Sequence, residues 1–174
     1  MWPCEVSLSR RSNSDTEARQ QRPRPPKSLL SRAVALLARR DHSRAELYRK
    51  LSLHVRDEDE RGEIDRVLDE LVRNGLLSDQ RFASAIARSR SQRFGDARIR
   101  YDLRKFGIAD EVSAVALGTV SESEVSRADA VRSKRFATFP ASAAERAKQA
   151  RFLQARGFSL DSIYRVLRER ADQK

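Results

Sequence analysis

Apolar residues recur along this chain at helical spacing in block after block. Leu30, Ala33, Val34 and Leu37 stand at i, i+3, i+4 and i+7, which predicts a helix from Ser28 to Arg39 with those four facing inward. A turn follows at Arg40-Asp41-His42. Ser43-Arg44-Ala45-Glu46 then has the form of a capping box, with the hydroxyl on an early amide and Glu46 reaching back. The helix it opens carries Leu47, Leu51 and Val55 four apart. An acidic connector, Asp57 to Glu60, leads to a third helix from about Asp59 to Arg73, whose stripe is Ile64, Val67, Leu68, Leu71 and Val72. Asn74-Gly75 is a helix-stop signal, because both residues tolerate the left-handed conformation. Ser78 or Asp79 can cap the next helix, with Phe82 and Ile86 on its inner face. Phe94-Gly95 breaks that helix, and Asp96 can start another with Ile99, Leu103 and Phe106 inside.

The rest of the chain continues in the same way. Gly107-Ile108 ends the central pair, and Asp110 can cap a short helix through Leu117. Ser121-Glu122-Ser123-Glu124 offers a further capping box for a helix to about Phe136. Pro140 interrupts, a helix runs from about Ser142 to Arg156, and Gly157 stops it. Ser159 caps the last helix, with Ile163 and Leu167 inside, and the tail after Arg170 is expected to fray. One pattern returns three times: a small cap residue, then apolar residues at +4 and +8, as Ser43/Leu47/Leu51, Gly95/Ile99/Leu103 and Ser159/Ile163/Leu167. The separations, 52 and 64 residues, are no fixed period. Any amphipathic helix yields such spacing, but the pattern fits tandem three-helix units, each too small to bury its faces without a neighbour.

Composition sharpens this picture. Six Gly and five Pro are few for an all-β chain, and abundant Ala, Leu, Arg and Glu favour helix. Residues 1–27, rich in Ser, Arg, Gln and Pro, bury too little to fold and read as a disordered basic leader. The fold class that follows is all-α, with helical units at 28–77, 78–120 and 121–174.

Charge points to a partner. The formal net charge is +11, from 36 Lys and Arg against 25 Asp and Glu, which implies an anionic partner, nucleic acid foremost. Seven cations crowd the central pair: Arg88, Arg90, Arg93, Arg98, Arg100, Arg104 and Lys105, opposed only by Asp96 and Asp102. They are the leading candidates for an anion-binding face, followed by Arg39, Arg40 and Arg44, then Arg151 and Arg156. Each alone reads as an ordinary exposed arginine; the clustering sets them apart. Tyr48, Tyr101 and Tyr164 lie off the apolar stripes, where they can stack on bases or pack partly buried.

Catalytic patterns are missing. No Gly-rich phosphate loop of the Walker type occurs. Cys4 with His42 and His54 makes no zinc set, and the serines have no His-Asp partners. His42 reads as a capping or surface residue, and the acidic residues, such as Asp65 and Asp69, as solvated salt-bridging surface. No cofactor is expected. No apolar run approaches the ~20 residues that span a bilayer. The N-terminus lacks a signal-peptide apolar core, so the cytoplasm is the expected compartment. The lack of a heptad seam predicts a monomer.

Four segments carry a resemblance. A-L-L-A-R-R-D-H-S-R-A-E-L-Y-R-K-L at 35–51, N-G-L-L-S-D-Q-R-F-A at 74–83, G-D-A-R-I-R-Y-D-L-R-K-F-G-I at 95–108 and R-F-L-Q-A-R-G-F-S-L-D-S-I-Y-R-V-L at 151–167 resemble the RecX family. The similarity covers roughly residues 29–170 in the right order. It implies an elongated, curved array of tandem three-helix, helix-turn-helix-like repeats. It also implies a regulator that binds the RecA recombinase, lodges in the groove of its filament on single-stranded DNA and usually inhibits it in recombination and repair. Binding to bare single strands would be weak and salt-sensitive. The N-terminal leader has no counterpart in the family core, and 118–140 is less typical of it. The competing expectation is a helix-turn-helix regulator that reads duplex DNA directly, with the central helix as reader.

Overall fold

The computed structural model describes residues 28–55 and 57–168. The leader at 1–27, Cys4 and the tail after Arg170 lie outside the described residues. Those described form nine helices and no strand: α1 (Leu29–Leu37), α2 (Arg44–Ser52), α3 (Glu58–Arg73), α4 (Asp79–Ser91), α5 (Asp96–Lys105), α6 (Asp110–Gly118), α7 (Glu124–Arg135), α8 (Ala143–Gln154) and α9 (Leu160–Arg168).

The helices work in threes. Ala33, Leu47, Leu51, Ile64, Leu68 and Leu71 close one core between α1, α2 and α3. Phe82, Ala87, Ile99, Leu103, Ile108 and Ala116 close a second between α4, α5 and α6. Ala128, Leu153, Phe158, Ile163 and Val166 close a third between α7, α8 and α9. Every extensive helix–helix contact joins two helices of the same group. Each unit therefore closes an apolar cluster of its own, rather than sharing one with the next unit as the expectation of units too small to bury their faces alone would have it.

The predicted stripes match the buried faces with two exceptions. Leu30 and Val34 are exposed, and α1 instead turns Leu29, Ala33, Leu36 and Leu37 inward. Both Leu29/Ala33/Leu36 and Leu30/Val34/Leu37 satisfy i, i+4, i+7, so periodicity alone cannot choose between the two faces of so short a helix. Val72, at the edge of the α3 stripe, is also exposed.

Most caps are as expected. Ser43 and Ser78 each accept from the amide three residues on, and Ser159 accepts from the Ser162 amide. The box expected at 121–124 is shifted by two, with Ser123 capping α7 through the Ser126 amide, and Ser142 caps α8 through the Glu145 amide. Asp110 is not a cap: Ala109 holds that position without a side-chain bond, and Asp110 is the first helical residue. There its charge still complements the helix dipole.

The units meet through helix tips, and the same contact is made twice. At the first junction the N-terminus of α2 meets the C-terminus of α5. Ser43 donates its hydroxyl to the Phe106 carbonyl at 2.6 Å, and a Cβ on Gly107 would come within 2.5 Å of that of Ala45. At the second junction the N-terminus of α5 meets the C-terminus of α8. Gly95 N–H donates to Arg156 O at 3.0 Å and Ala97 N–H to Gly157 O at 3.2 Å. Gly95 is extended, not left-handed, at φ −78°. It is glycine because a Cβ there would run into the Gly157 carbonyl. Gly157 needs glycine twice over, for its φ of +79° and for its approach to Arg98.

A carboxylate from the next unit completes each junction. Asp79 at the start of α4 accepts from the Arg44 amide at 2.7 Å. Glu124 at the start of α7 accepts from the Asp96 amide at 2.9 Å. This shows why the apolar triplet is an imperfect guide to the repeat. Its first two instances fall on second helices, α2 and α5, but Ser159/Ile163/Leu167 falls on a third helix, α9. The equivalent second helix is α8, capped by Ser142.

Candidate nucleic-acid interface

The structure sorts the candidate cations by what already holds them. Arg90 reaches from α4 to Asp102, a buried carboxylate on α5, and Arg98 approaches the same group at 3.5 Å. Arg98 also lies 5.8 Å from the Phe94 ring centroid. Arg104 pairs with Asp110 at 3.1 Å. Lys105 sits 4.5 Å over the ring of Tyr101, itself half exposed. Arg40 binds Glu46, and Arg44 bridges to Asp65 and Asp69 on α3. These six are thus engaged within the protein. Among the described residues, Arg39, Arg88, Arg100 and Arg151 have no carboxylate partner, and they lie dispersed over the end of α1, α4, α5 and α8.

Two acidic groups are structural rather than solvated surface. Burial would raise the Glu46 carboxyl, but hydrogen bonds from Arg40 and His42, with their charge, outweigh it and hold Glu46 at about 2. Glu46 does not reach back to its cap, because Arg40 and His42 turn it the other way. His42 is buried, its Nδ1 3.0 Å from Glu46, and so is not a surface residue. Burial likewise opposes ionisation of Glu124, but hydrogen bonds from Ser159, the Asp96 amide and Ser162 lower its pKa. Glu124 thereby ties the starts of α5, α7 and α9 together.

Arg127 completes that knot. It is 4% exposed. It binds Asp96 at 2.5 Å and donates to the carbonyl of Phe94 at 3.1 Å, at the end of α4. Sequence reasoning does not single it out, since an arginine about one turn from a capping box looks like surface. The distinguishing signal is its spacing: it stands with Ala128 and Val131 on the face of α7 that turns inward.

Beside this knot lies a cleft of about 540 Å³ between the second and third units. The α4–α5 turn supplies Arg93 and Phe94, α7 supplies Lys134 and Arg135, and α8 with its C-terminal turn supplies Phe152 and Arg156. No carboxylate lines it. Arg156 lies over the Phe152 ring at 3.8 Å, and Phe136 meets that ring edge-on at 5.1 Å. Of the twelve candidates the structure brings Arg93 and Arg156 together here, 63 residues apart in sequence. Lys134 and Arg135 are not among those twelve; the run Arg132-Ser133-Lys134-Arg135-Phe136 is the signal that could have found them.

The tyrosines divide. Tyr48 packs against the first core, whereas Tyr101 and Tyr164 are exposed. Among the described residues no group of three His, Cys, Asp or Glu side chains is placed to hold a metal ion. None of the described helices is long and apolar enough to cross a membrane.

Comparison with known proteins supplies the context. Residues 78–117 match the second three-helix domain of RecX, and residues 122–167 match the third. The chain is 42% identical over 145 residues to the regulatory protein RecX of Ralstonia nicotianae, covering 83% of this chain and 89% of that protein. It is 44% identical over 145 residues to the regulatory protein RecX of Leptothrix cholodnii, covering 83% and 90%. The crystal structure of RecX from Lactobacillus salivarius is similar in fold, with a TM-score of 0.70 at 22% identity over 81% of this chain and 93% of that one.

Proposed function

The chain belongs to the RecX family, a family of regulatory proteins and not of enzymes, and from that premise we propose that it binds the RecA recombinase and restrains it on DNA. In this reading the protein lies in the groove of the RecA filament on single-stranded DNA, in the cytoplasm. It acts as a monomer, with the units at 28–77, 78–120 and 121–174 in series along the groove. It bridges neighbouring recombinase subunits and competes for DNA or blocks filament growth, and any effect on ATP hydrolysis is indirect. The observation that carries the reading is the identity of more than 40% to regulatory proteins RecX over 83% of the chain. The cations Arg39, Arg88, Arg93, Arg100, Arg151 and Arg156, which have no carboxylate partner among the described residues, support it. Counterion release by such groups supplies salt-sensitive affinity for phosphates.

A direct reader of duplex DNA is less well supported. In a helix-turn-helix protein the N-terminal residues of the reading helix enter the major groove. Here α5 has Asp96 there, and the third helices α6 and α9 have Asp110, Glu111 and Asp161. Carboxylates in that position repel the phosphates flanking the groove.

The test is RecA filament assembly and ATP hydrolysis on single-stranded DNA with substoichiometric protein added. Slowed assembly and reduced hydrolysis are expected. No effect at any ratio, together with tight, sequence-dependent binding to bare duplex, would overturn the proposal.

A further inference from the structure

We propose that the cleft between the second and third units is a binding site for one nucleotide unit of a single strand, phosphate and base together. The inference deepens the reading above, which sets the protein against a single strand, and rests on it for the source of that strand.

The argument begins with charge. Arg93, Lys134, Arg135 and Arg156 converge on one cavity, and no carboxylate lines it. Three neighbouring arginines are paired: Arg90 has Asp102, Arg127 has Asp96 and Arg132 has Asp129. The four in the cleft, with no carboxylate among its lining residues, are left for an external anion. The ends of α4, α7 and α8 lie near and contribute only partial negative charge, about half a unit each, against four full positive ones.

The second element is a platform. Arg156 stacked on Phe152, with Phe136 behind that ring, presents a flat aromatic–guanidinium surface beside the cations. Bases stack on such surfaces with little sequence preference. A patch built only for acidic peptide would need the charges but not the platform. Size agrees: about 540 Å³ falls in the ~300–1,000 Å³ range of small-ligand sites, room for a nucleotide and not for a duplex.

The third element is preorganisation. The two walls belong to different units, yet Arg127 fastens α7 to the Phe94 carbonyl, and the Gly95–Arg156 hydrogen bond fixes the α4–α5 turn to the end of α8. A nucleotide seated in the cleft touches both units at once.

The experiment measures binding of a fluorescent oligo(dT) to the full chain over a range of salt, without recombinase. The double variant Arg93→Gln/Arg135→Gln is compared with Arg66→Gln/Arg73→Gln, which removes the same charge from exposed sites on α3. The cleft pair should weaken binding by ~10-fold or more and flatten the salt dependence by about 0.7 in log–log slope, for the one phosphate no longer neutralised. The control pair should weaken it by less than ~3-fold. Thymidine monophosphate should displace the oligonucleotide at concentrations where inorganic phosphate does not. Equal losses from the two pairs, equal displacement by phosphate, or cleft-dependent binding of a polyglutamate peptide in place of the oligonucleotide would each overturn the proposal. Because no recombinase is present, failure here leaves the filament assay standing, and failure of that assay leaves this one readable.

Discussion

The outer face of α5 and the cleft beside it are both rich in arginine, yet they are built differently. On α5, Arg98 and Arg104 face Asp102 and Asp110, and Lys105 rests on Tyr101. In the cleft, Arg93, Lys134, Arg135 and Arg156 face one another across open space with no carboxylate between them. The first region has the denser charge in sequence, the second the more available charge in space. A count of arginines measures the first property, whereas affinity for an external anion depends on the second.

The largest expected effect comes from cutting what holds the cleft together. Arg127→Met leaves Asp96 and two backbone carbonyls without their donor in a buried site, and should cost about 3 kcal/mol or more of stability. Denaturant unfolding measures the loss, and oligonucleotide binding should fall with it, because the walls lose their register. If both were unchanged, the cleft would not depend on the junction. Removing the acid from the paired face should separate stability from binding. Asp102→Ala strips Arg90 and Arg98 of their buried counter-charge and should cost about 2 kcal/mol. Binding to oligo(dT) should hold or rise as cations are freed, and a fall like that of the cleft variants would erase the distinction between the two regions.

Acid sharpens it further. Glu46 has a folded pKa of about 2, below its ordinary 4.5, and that of Glu124 is also lowered. A depressed carboxyl stabilises the fold above its unfolded pKa, and the contribution is lost as pH falls through the folded value. Thermal unfolding should therefore be insensitive to these groups from neutrality down to about pH 5 and weaken between about pH 4.5 and 2. Glu46→Gln should remove about 2 kcal/mol at neutral pH and flatten the Glu46 part of that acid limb. The smallest effect belongs to Arg104→Ala. Its pair with Asp110 is exposed on both sides, so stability should change by less than about 1 kcal/mol. A larger loss would mean that the α5 face is structural beyond Asp102.

Much of the fold is legible in the sequence because helices announce themselves locally. Ser43, Ser78 and Ser159 can be read as caps from the residues beside them, and Ile99 or Leu103 as core from their spacing. The failures share a cause. Whether α1 faces inward through Leu29 or Leu30 depends on α2 and α3, not on α1. Gly95 looks like a helix break, but its reason is a carbonyl 62 residues away, at Gly157. Arg93 and Arg156 belong to two separate basic groups in sequence, and only folding places them across one cavity. Lys134 and Arg135 are overshadowed by the central pair, whose charge is denser along the chain but is neutralised by acids that are buried or distant in sequence.

The tip-to-tip junctions also bear on how the molecule would come apart under load. Tension that separates the second helices is carried at the α5–α8 joint by two main-chain hydrogen bonds, from Gly95 and Ala97. At the α2–α5 joint a single hydroxyl, that of Ser43, does the same work between the helix tips. The first joint is further held by the Arg44 amide on Asp79 and by Arg81 on Asp41, so its side chains carry the load that the main chain carries at the second.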